Sequence, residues 1–335
     1  MRTTFRNLAD LASLPYFKIE DGRLVLADKS IGPAIDMHTH VALAYLAPNN
    51  VDYDHLAPET QHYLPACCAI DFDVYQNKNI PTPDVVALKS DLTLGSFRRG
   101  GMRATHTAAN MLREMNELGI ERSAVLAIDL PVISKNYAVA AALSRKNSRF
   151  VAFGSLHPYA LHIDKALDEQ LGLGVMGIKL HPTVQLFRPD DPRASKIYKG
   201  CSDRGLAVLI HCGPVGIAPG LGEYLTQVRW YEKPIVKHPE TKFILAHAGA
   251  LEFEQATELA RKYPNVYLEI SGQSLRGIRL MIERVDPSRI LLGSDWPFYH
   301  QAIGMAKVLM LTEGNKKLRR DILYRNAVKL LNLPN

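Results

Sequence analysis

Asp36-Met37-His38-Thr39-His40 sets two imidazoles two residues apart at the end of an apolar run. In an extended strand, residues i and i+2 project to the same side, so His38 and His40 face one way. Two neutral imidazoles side by side are a natural chelate for a divalent metal. An isolated pair of this kind is commonly an ordinary strand feature, so its weight depends on what shares its position. Gly177-Ile178-Lys179-Leu180-His181-Pro182 puts Lys179 and His181 on one face after another apolar run. Three more runs end in His211 (before Cys212-Gly213), His247 (before Ala248-Gly249) and Asp295 (before Trp296-Pro297).

The runs that carry these residues recur through the chain. They read as strands over Ala34–Met37, Ser123–Ile128, Phe150–Leu156, Val175–Leu180, Ala207–Ile210, Lys242–Ala246, Val266–Ile270 and Arg289–Leu292. Their continuous Val, Ile, Leu and Phe content, without alternation, suits strands buried on both faces. From the third onward they arrive at intervals of roughly 25 to 35 residues, the length of one strand–helix unit. Amphipathic helices lie between them, over Thr107–Leu118 (closed by Gly119), Leu251–Tyr263 (stopped by Pro264) and Ser274–Val285. Eight strands alternating with helices predict a single α/β domain over 1–335, a (β/α)8 TIM barrel. Catalytic groups of such barrels sit at the C-terminal ends of the strands, which is where all five polar groups fall. One such histidine is most simply a core or loop residue; five groups converging on one rim imply a site.

Two segments depart from the alternation. Residues 15–33 read as a β-hairpin turning at Asp21-Gly22, and 41–106 form a long insertion after the first strand. The insertion should therefore lie over the active-site face, where loops set specificity. The chain has 335 residues, 47% of them hydrophobic, enough for a large ordered core. No apolar run approaches the roughly 20 residues that cross a bilayer, and Met1–Leu14 lacks the apolar stretch of a secretory signal. Its four cysteines form no CxxC pair and suit a reducing, cytoplasmic setting. The net charge of +6 is scattered, so Lys316-Lys317-Leu318-Arg319-Arg320 reads as a solvated helix face rather than a nucleic-acid patch. Gly172-Leu173-Gly174-Val175-Met176-Gly177 matches a dinucleotide loop in spelling, but it precedes a strand instead of following one. Cys212 beside His211 points to the opposite strand face, which argues against a nucleophile pair. His55, His62, His106, His157, His162, His238 and His300 lack supporting context and read as ordinary side chains.

The order His-x-His, Lys, His, His, Asp along the strands resembles the amidohydrolase superfamily of metal-dependent hydrolases. The local strings around His38, Lys179, His211, His247 and Asp295, with the closing Arg325-Asn326-Ala327-Val328-Lys329-Leu330-Leu331, are similar to its "amidohydrolase 2" branch. That branch includes aminocarboxymuconate-semialdehyde decarboxylase-like enzymes as well as lactone and amide hydrolases. The likeness spans about residues 34–332 and fades across 41–106. It implies His38, His40, His211 and Asp295 around a divalent metal, with His247 a ligand of a second metal or a proton-transfer group. It also implies two roles for Lys179: a carboxylated lysine bridging two metals, placed first, or an ammonium holding an anionic substrate. One or two ions are implied; a His/Asp site suits Zn²⁺ best, while Mn²⁺, Fe²⁺, Co²⁺ and Ni²⁺ also fit such donors.

Bound metal acidifies water and polarises a carbonyl, and a carboxylate beside it can accept and return a proton. Asp295 takes that role, and His247 or His211 faces the oxyanion. The expectation is a hydrolase of a small, anionic amide, ester or lactone. The alternative is a non-oxidative decarboxylase of a carboxylated aromatic or muconate-like acid; a silent binding barrel is the remote third. His181, Trp296 and Arg188 are candidates for substrate contact, with the Arg98–Arg103 cluster weighed beside Arg188 against plain solvated charge. Beyond a small-molecule substrate, the expected partner is a second copy in a homodimer, with neither nucleic acid nor membrane.

Overall fold

The computed structural model describes residues 2–47, 50–98, 100–130 and 133–334. One parallel sheet runs through β1 (Ala34–Thr39), β2 (Ile120–Leu126), β3 (Phe150–Ser155), β4 (Gly177–Leu180), β5 (Ala207–His211), β6 (Phe243–Ala246), β7 (Val266–Glu269) and β8 (Ile290–Leu291). Each strand is hydrogen-bonded to the next in chain order. The seam between β8 and β1 is closed by Met37 N–H donating to Leu292 O at 2.9 Å and by a parallel bridge between Thr39 and Trp296. The architecture is a (β/α)8 barrel. β2 begins before its hydrophobic run because Ile120 and Arg122 already pair with Ala34 and Ile35 of β1, and it ends at Leu126.

Both strand faces are buried, which is why the runs are continuous. Ile35, Met37, Leu126, Phe153, Leu209 and Ile244 fill the lumen, and Tyr324, Ala327, Leu330 and Leu331 of the last helical segment pack beneath them. Ile178, Leu180, Val208, Ile210, Leu245 and Leu268 face outward against helix residues such as Met111, Met115, Leu167 and Ile197. The helix Ala108–Leu118 shows how the local signals act: the Thr107 side chain accepts from Asn110 N–H, and Gly119 ends the helix in the left-handed region at φ 65°. The N-terminal hairpin pairs Phe17–Glu20 with Arg23–Leu26, and Asp21 and Gly22 both take positive φ (49° and 76°), as a two-residue primed turn requires. Within the insertion, Ile70–Asp71 pairs antiparallel with Thr4–Phe5, and the helix Thr82–Thr93 lies over the barrel mouth.

β1 is irregular where it matters. Asp36 lies opposite Ser123 and Thr39 opposite Val125, so three steps on β1 span two on β2. Such a bulge re-aims side chains. Ile35 and Met37 face the lumen, and strict alternation would send His38 outward with Ala34 and Asp36. The bulge turns His38 back toward the mouth beside His40. Asp36 stays on the outer side, buried, and its carboxylate accepts from His38 N–H (3.1 Å), Ser294 N–H (2.9 Å), Ser294 Oγ–H (2.5 Å) and Gln301 Nε2 (2.8 Å). Burial pushes its carboxyl up to about 6, against the pull of Ser294 and Gln301. Asp36 thus stitches β1 to the loop that carries Asp295. Asp36→Ala leaves these buried donors without an acceptor and should lower the unfolding free energy by about 3 kcal/mol. Denaturant melts would check this; an unchanged midpoint would rule out the stitch.

Candidate metal centre

The residues singled out at the strand ends converge on one cavity of about 680 Å³, which His38, His40, Lys179, His181, His211, His247 and Asp295 all line. Two of them reach it by unusual backbone. His247 follows the inward Ala246 and would point outward by alternation, but φ is 57° there and stays positive through Ala248, Gly249 and Ala250. Gln273 holds that segment, its Nε2 donating to His247 O at 2.7 Å and Ala250 O at 2.8 Å. Asp295 also sits at positive φ (62°), its N–H donating to His38 O at 2.8 Å. Strained backbone of this kind, of order 1–3 kcal/mol per residue, is held by surrounding contacts and concentrates at functional sites.

His38 Nε2 and His40 Nε2 are 3.2 Å apart, and Asp295 Oδ1 lies 3.4 Å from the first and 3.5 Å from the second. The other ring nitrogens are engaged. His40 Nδ1 donates to Leu126 O at 2.9 Å, and a carbonyl can only accept, so the Nε2 of a neutral His40 carries a lone pair. His38 Nδ1 meets Glu269 Oε2 at 2.6 Å. Burial, then the charge of Lys179, keeps His38 well below the usual imidazole range. Two imidazole nitrogens and a carboxylate oxygen thus face one another, a set of atoms that could hold a divalent cation. The spacing suits one: four ligands at the roughly 2.0–2.1 Å of a tetrahedral zinc site stand about 3.3–3.4 Å apart. Lys179 Nζ, 3.1 Å from His38 Nε2, supplies a donor at the edge of the triangle. Burial lowers Lys179 below the usual lysine range, opposed by Asp295 and Glu269, and raises Asp295 above the usual carboxylate range.

Behind the triangle stands Glu269, wholly buried on β7. Its carboxylate accepts from His38 Nδ1, from Ser271 N–H at 2.5 Å, from the Ser271 hydroxyl at 2.9 Å and from His247 N–H at 3.2 Å. The Ser271 hydroxyl in turn accepts from His247 Nδ1 at 2.9 Å. One carboxylate therefore orients two imidazoles. Burial raises its pKa while the Ser271 and His247 donors pull it back, and a cation on the far side of His38 would favour its charged form. Among the described residues, two groups could hold an ion: His38, His40 and Asp295, and His38, His247 and Glu269. The second includes Glu269, whose carboxylate already meets His38 Nδ1 and Ser271.

His211 and His247 stand beside the triangle, with ring centroids 4.7 Å apart, and His181 stacks on His211 at 4.2 Å. Burial keeps His181, His211 and His247 below the usual imidazole range. The other substrate candidates lie elsewhere. Trp296 is wholly buried beneath the mouth, its indole N–H donating to Glu114 Oε1 at 3.0 Å, and Phe298 takes the wall position instead. Glu114 is itself gripped by His62 at 3.0 Å and His300 at 3.5 Å, so these two histidines serve the packing under the Asp295 loop. Arg188 forks onto Asp190 with two 2.9 Å bonds and stacks on Trp230 at 4.2 Å, away from the cavity wall. Of the insertion's arginines, Arg98 is exposed, Arg103 is buried inside the insertion, and Arg99 lies outside the described residues.

Glu269 escaped the sequence reading although its signal was present: a carboxylate inside the apolar run Val266–Ile270. Partners that orient metal-binding histidines typically account for 10–100-fold of metal affinity. Glu269→Gln should therefore weaken divalent-metal binding by about that factor, read by competition with a chelator. Unaltered affinity would show that Glu269 only fills space.

A model of the family described as Amidohydrolase matches residues 35–333. No curated protein matches the chain by sequence. Among solved structures, an uncharacterised TIM-barrel protein from Bordetella bronchiseptica aligns at TM-score 0.61 and 20% identity, over 90% of this chain and 98% of that one. A 5-carboxyvanillate decarboxylase from Sphingomonas paucimobilis aligns at 0.59 and 16%, over 75% and 91%. A probable 2-pyrone-4,6-dicarboxylic acid hydrolase from Acinetobacter baumannii, with citric acid bound, aligns at 0.55 and 12%, over 90% and 99%. These structural likenesses speak for the fold.

Proposed function

The chain belongs to the amidohydrolase family of metal-dependent enzymes, and from that premise we propose that it is a hydrolase of a small anionic amide, ester or lactone. The observation that carries the reading is the triangle of His38 Nε2, His40 Nε2 and Asp295 Oδ1 with edges of 3.2, 3.4 and 3.5 Å. These three residues would hold one divalent ion, for which Zn²⁺ suits the donor set best. That ion supplies a Lewis acid for a carbonyl oxygen and brings the pKa of water toward about 7. With Glu269 on its Nδ1, His38 has its Nε2 left for the triangle, and the reading takes a single ion there.

The chain's own groups then divide the work. Asp295, whose carboxylate stands at the cavity floor beside both imidazoles, takes the proton of the attacking water and returns it to the leaving group. His247 has its Nδ1 on the Ser271 hydroxyl, which leaves Nε2 toward the cavity to steady the reacting oxygen. Lys179, in its uncarboxylated form, meets the anionic group of the substrate at the cavity floor. His181 stacks on His211 and keeps both rings upright.

The mostly hydrocarbon walls of the cavity favour a second reading, non-oxidative decarboxylation, since a carboxylate loses CO₂ more readily out of water. The two reactions leave different atoms in the product. Metal-loaded protein is incubated in ¹⁸O-water with a panel of lactones, esters, amides and carboxylic acids. The hydrolase is expected to place one ¹⁸O in the acid formed and to release no CO₂; CO₂ release with no such label would transfer the assignment to the decarboxylase. In either case Asp295→Asn should lower kcat by about 10²- to 10⁴-fold with the melting temperature retained. Full turnover in that variant would contradict the role of Asp295.

A further inference from the structure

We propose that the cavity contains an apolar subsite selecting substrates that join one anionic or carbonyl head to a bulky hydrophobic body, an inference that rests on the metal-dependent reading above. Leu43, Tyr45, Leu92, Ile128, Leu130 and Val184 form an apolar cluster of their own. All six line the cavity floored by His38, His40, Lys179 and Asp295. They arrive from four separate places: the loop after β1, the insertion helix, the loop after β2 and the short helix Pro182–Gln185 after β4. Leu92, Leu130 and Val184 are only half-buried. Apolar surface left in a concave wall stays in contact with water until an apolar ligand covers it.

The charge pattern limits the other end of the ligand. The lysines on the cavity wall are Lys179 at the floor and the exposed Lys89, and no arginine lines it among the described residues. One negative group is therefore met beside the metal triangle. A second carboxylate on the part of the body seated against Ile128 and Val184 would lose its hydration, and the exposed Lys89 is a solvated single charge rather than a forked partner within that subsite. The subsite thus discriminates against dianionic ligands as well as against small hydrophilic ones.

The test measures calorimetric binding of acetate, benzoate, 2-naphthoate and isophthalate to metal-loaded protein, with metal content determined on the same samples. Each buried methylene equivalent is worth roughly fourfold in affinity, so affinity should rise by about tenfold or more from acetate to benzoate, and again to 2-naphthoate. Isophthalate, with its second carboxylate, should bind about tenfold or more weakly than benzoate. Val184→Asn and Leu130→Asn, both at half-buried positions, should cut the naphthoate-to-acetate ratio by about tenfold with metal content unchanged, whereas Val184→Leu should keep it. A flat series on fully metallated protein, or isophthalate binding as well as benzoate, overturns the subsite while the metal assignment stands. Protein that takes up no metal overturns that assignment and the subsite with it.

Discussion

The buried carboxylate of Glu269 is the constraint on which the site depends. By taking His38 Nδ1 at 2.6 Å, and His247 through the Ser271 hydroxyl, it decides which nitrogen each ring presents to the cavity. Without it, His38 could rotate or change tautomer, and the triangle of two imidazole nitrogens and a carboxylate oxygen would relax into an ordinary hydrogen-bonded network. A charge this deep is costly unless donors surround it. The Ser271 amide, the Ser271 hydroxyl and the His247 amide do so, and all three sit on the segments that follow β6 and β7. The barrel stacks those segments side by side, and their donors converge there without further design.

The rest of the fold can be understood as the means of bringing groups of the wrong phase into that arrangement. Lys179, His211 and Glu269 share the phase of the lumen residues on their own strands and reach the mouth by simple alternation. His38 and His247 do not. The β1 bulge corrects the first, and the left-handed backbone from His247 to Ala250 corrects the second. Each distortion is secured from outside the site. Asp36 ties the bulge to Ser294 and Gln301, while Gln273 bonds the His247 segment and is held in turn by the buried Lys307, whose Nζ donates to Gln273 O at 2.5 Å. Lys307 also donates to Gln76 of the insertion at 2.5 Å, so the cap over the mouth and the strained loop share one anchor.

Much of this was legible in the sequence, for reasons that can be located. The continuous apolar runs marked strands buried on both faces, and Thr107 and Gly119 bounded a helix that forms between them. The hairpin turn at Asp21-Gly22 followed from its dipeptide. The five polar strand ends converge on one cavity. Alternation puts His38 and His40 on one side, but only the bulge turns that side toward the mouth, and no periodicity announces a bulge. Glu269 is the last residue of β7 itself, and a lone carboxylate inside an apolar run carries no spacing that marks it as a partner of His38 and His247. Neither Trp296, which follows Asp295, nor Arg188, a candidate by its charge, lines the cavity. Tertiary partners claimed both instead: Glu114 for the indole, Asp190 and Trp230 for the guanidinium.

The central claim is that His38, His40 and Asp295 share one ion, and its most direct test is crystallographic. A fluorescence scan of crystals grown from protein never exposed to chelator identifies the element, and an anomalous difference map at its edge locates it. The structure predicts a single strong peak within about 2.0–2.2 Å of His38 Nε2, His40 Nε2 and an Asp295 carboxylate oxygen, with Glu269 still on His38 Nδ1. A peak held by other residues, or metal-supplemented crystals in which the three side chains bond one another with no peak between them, would contradict it.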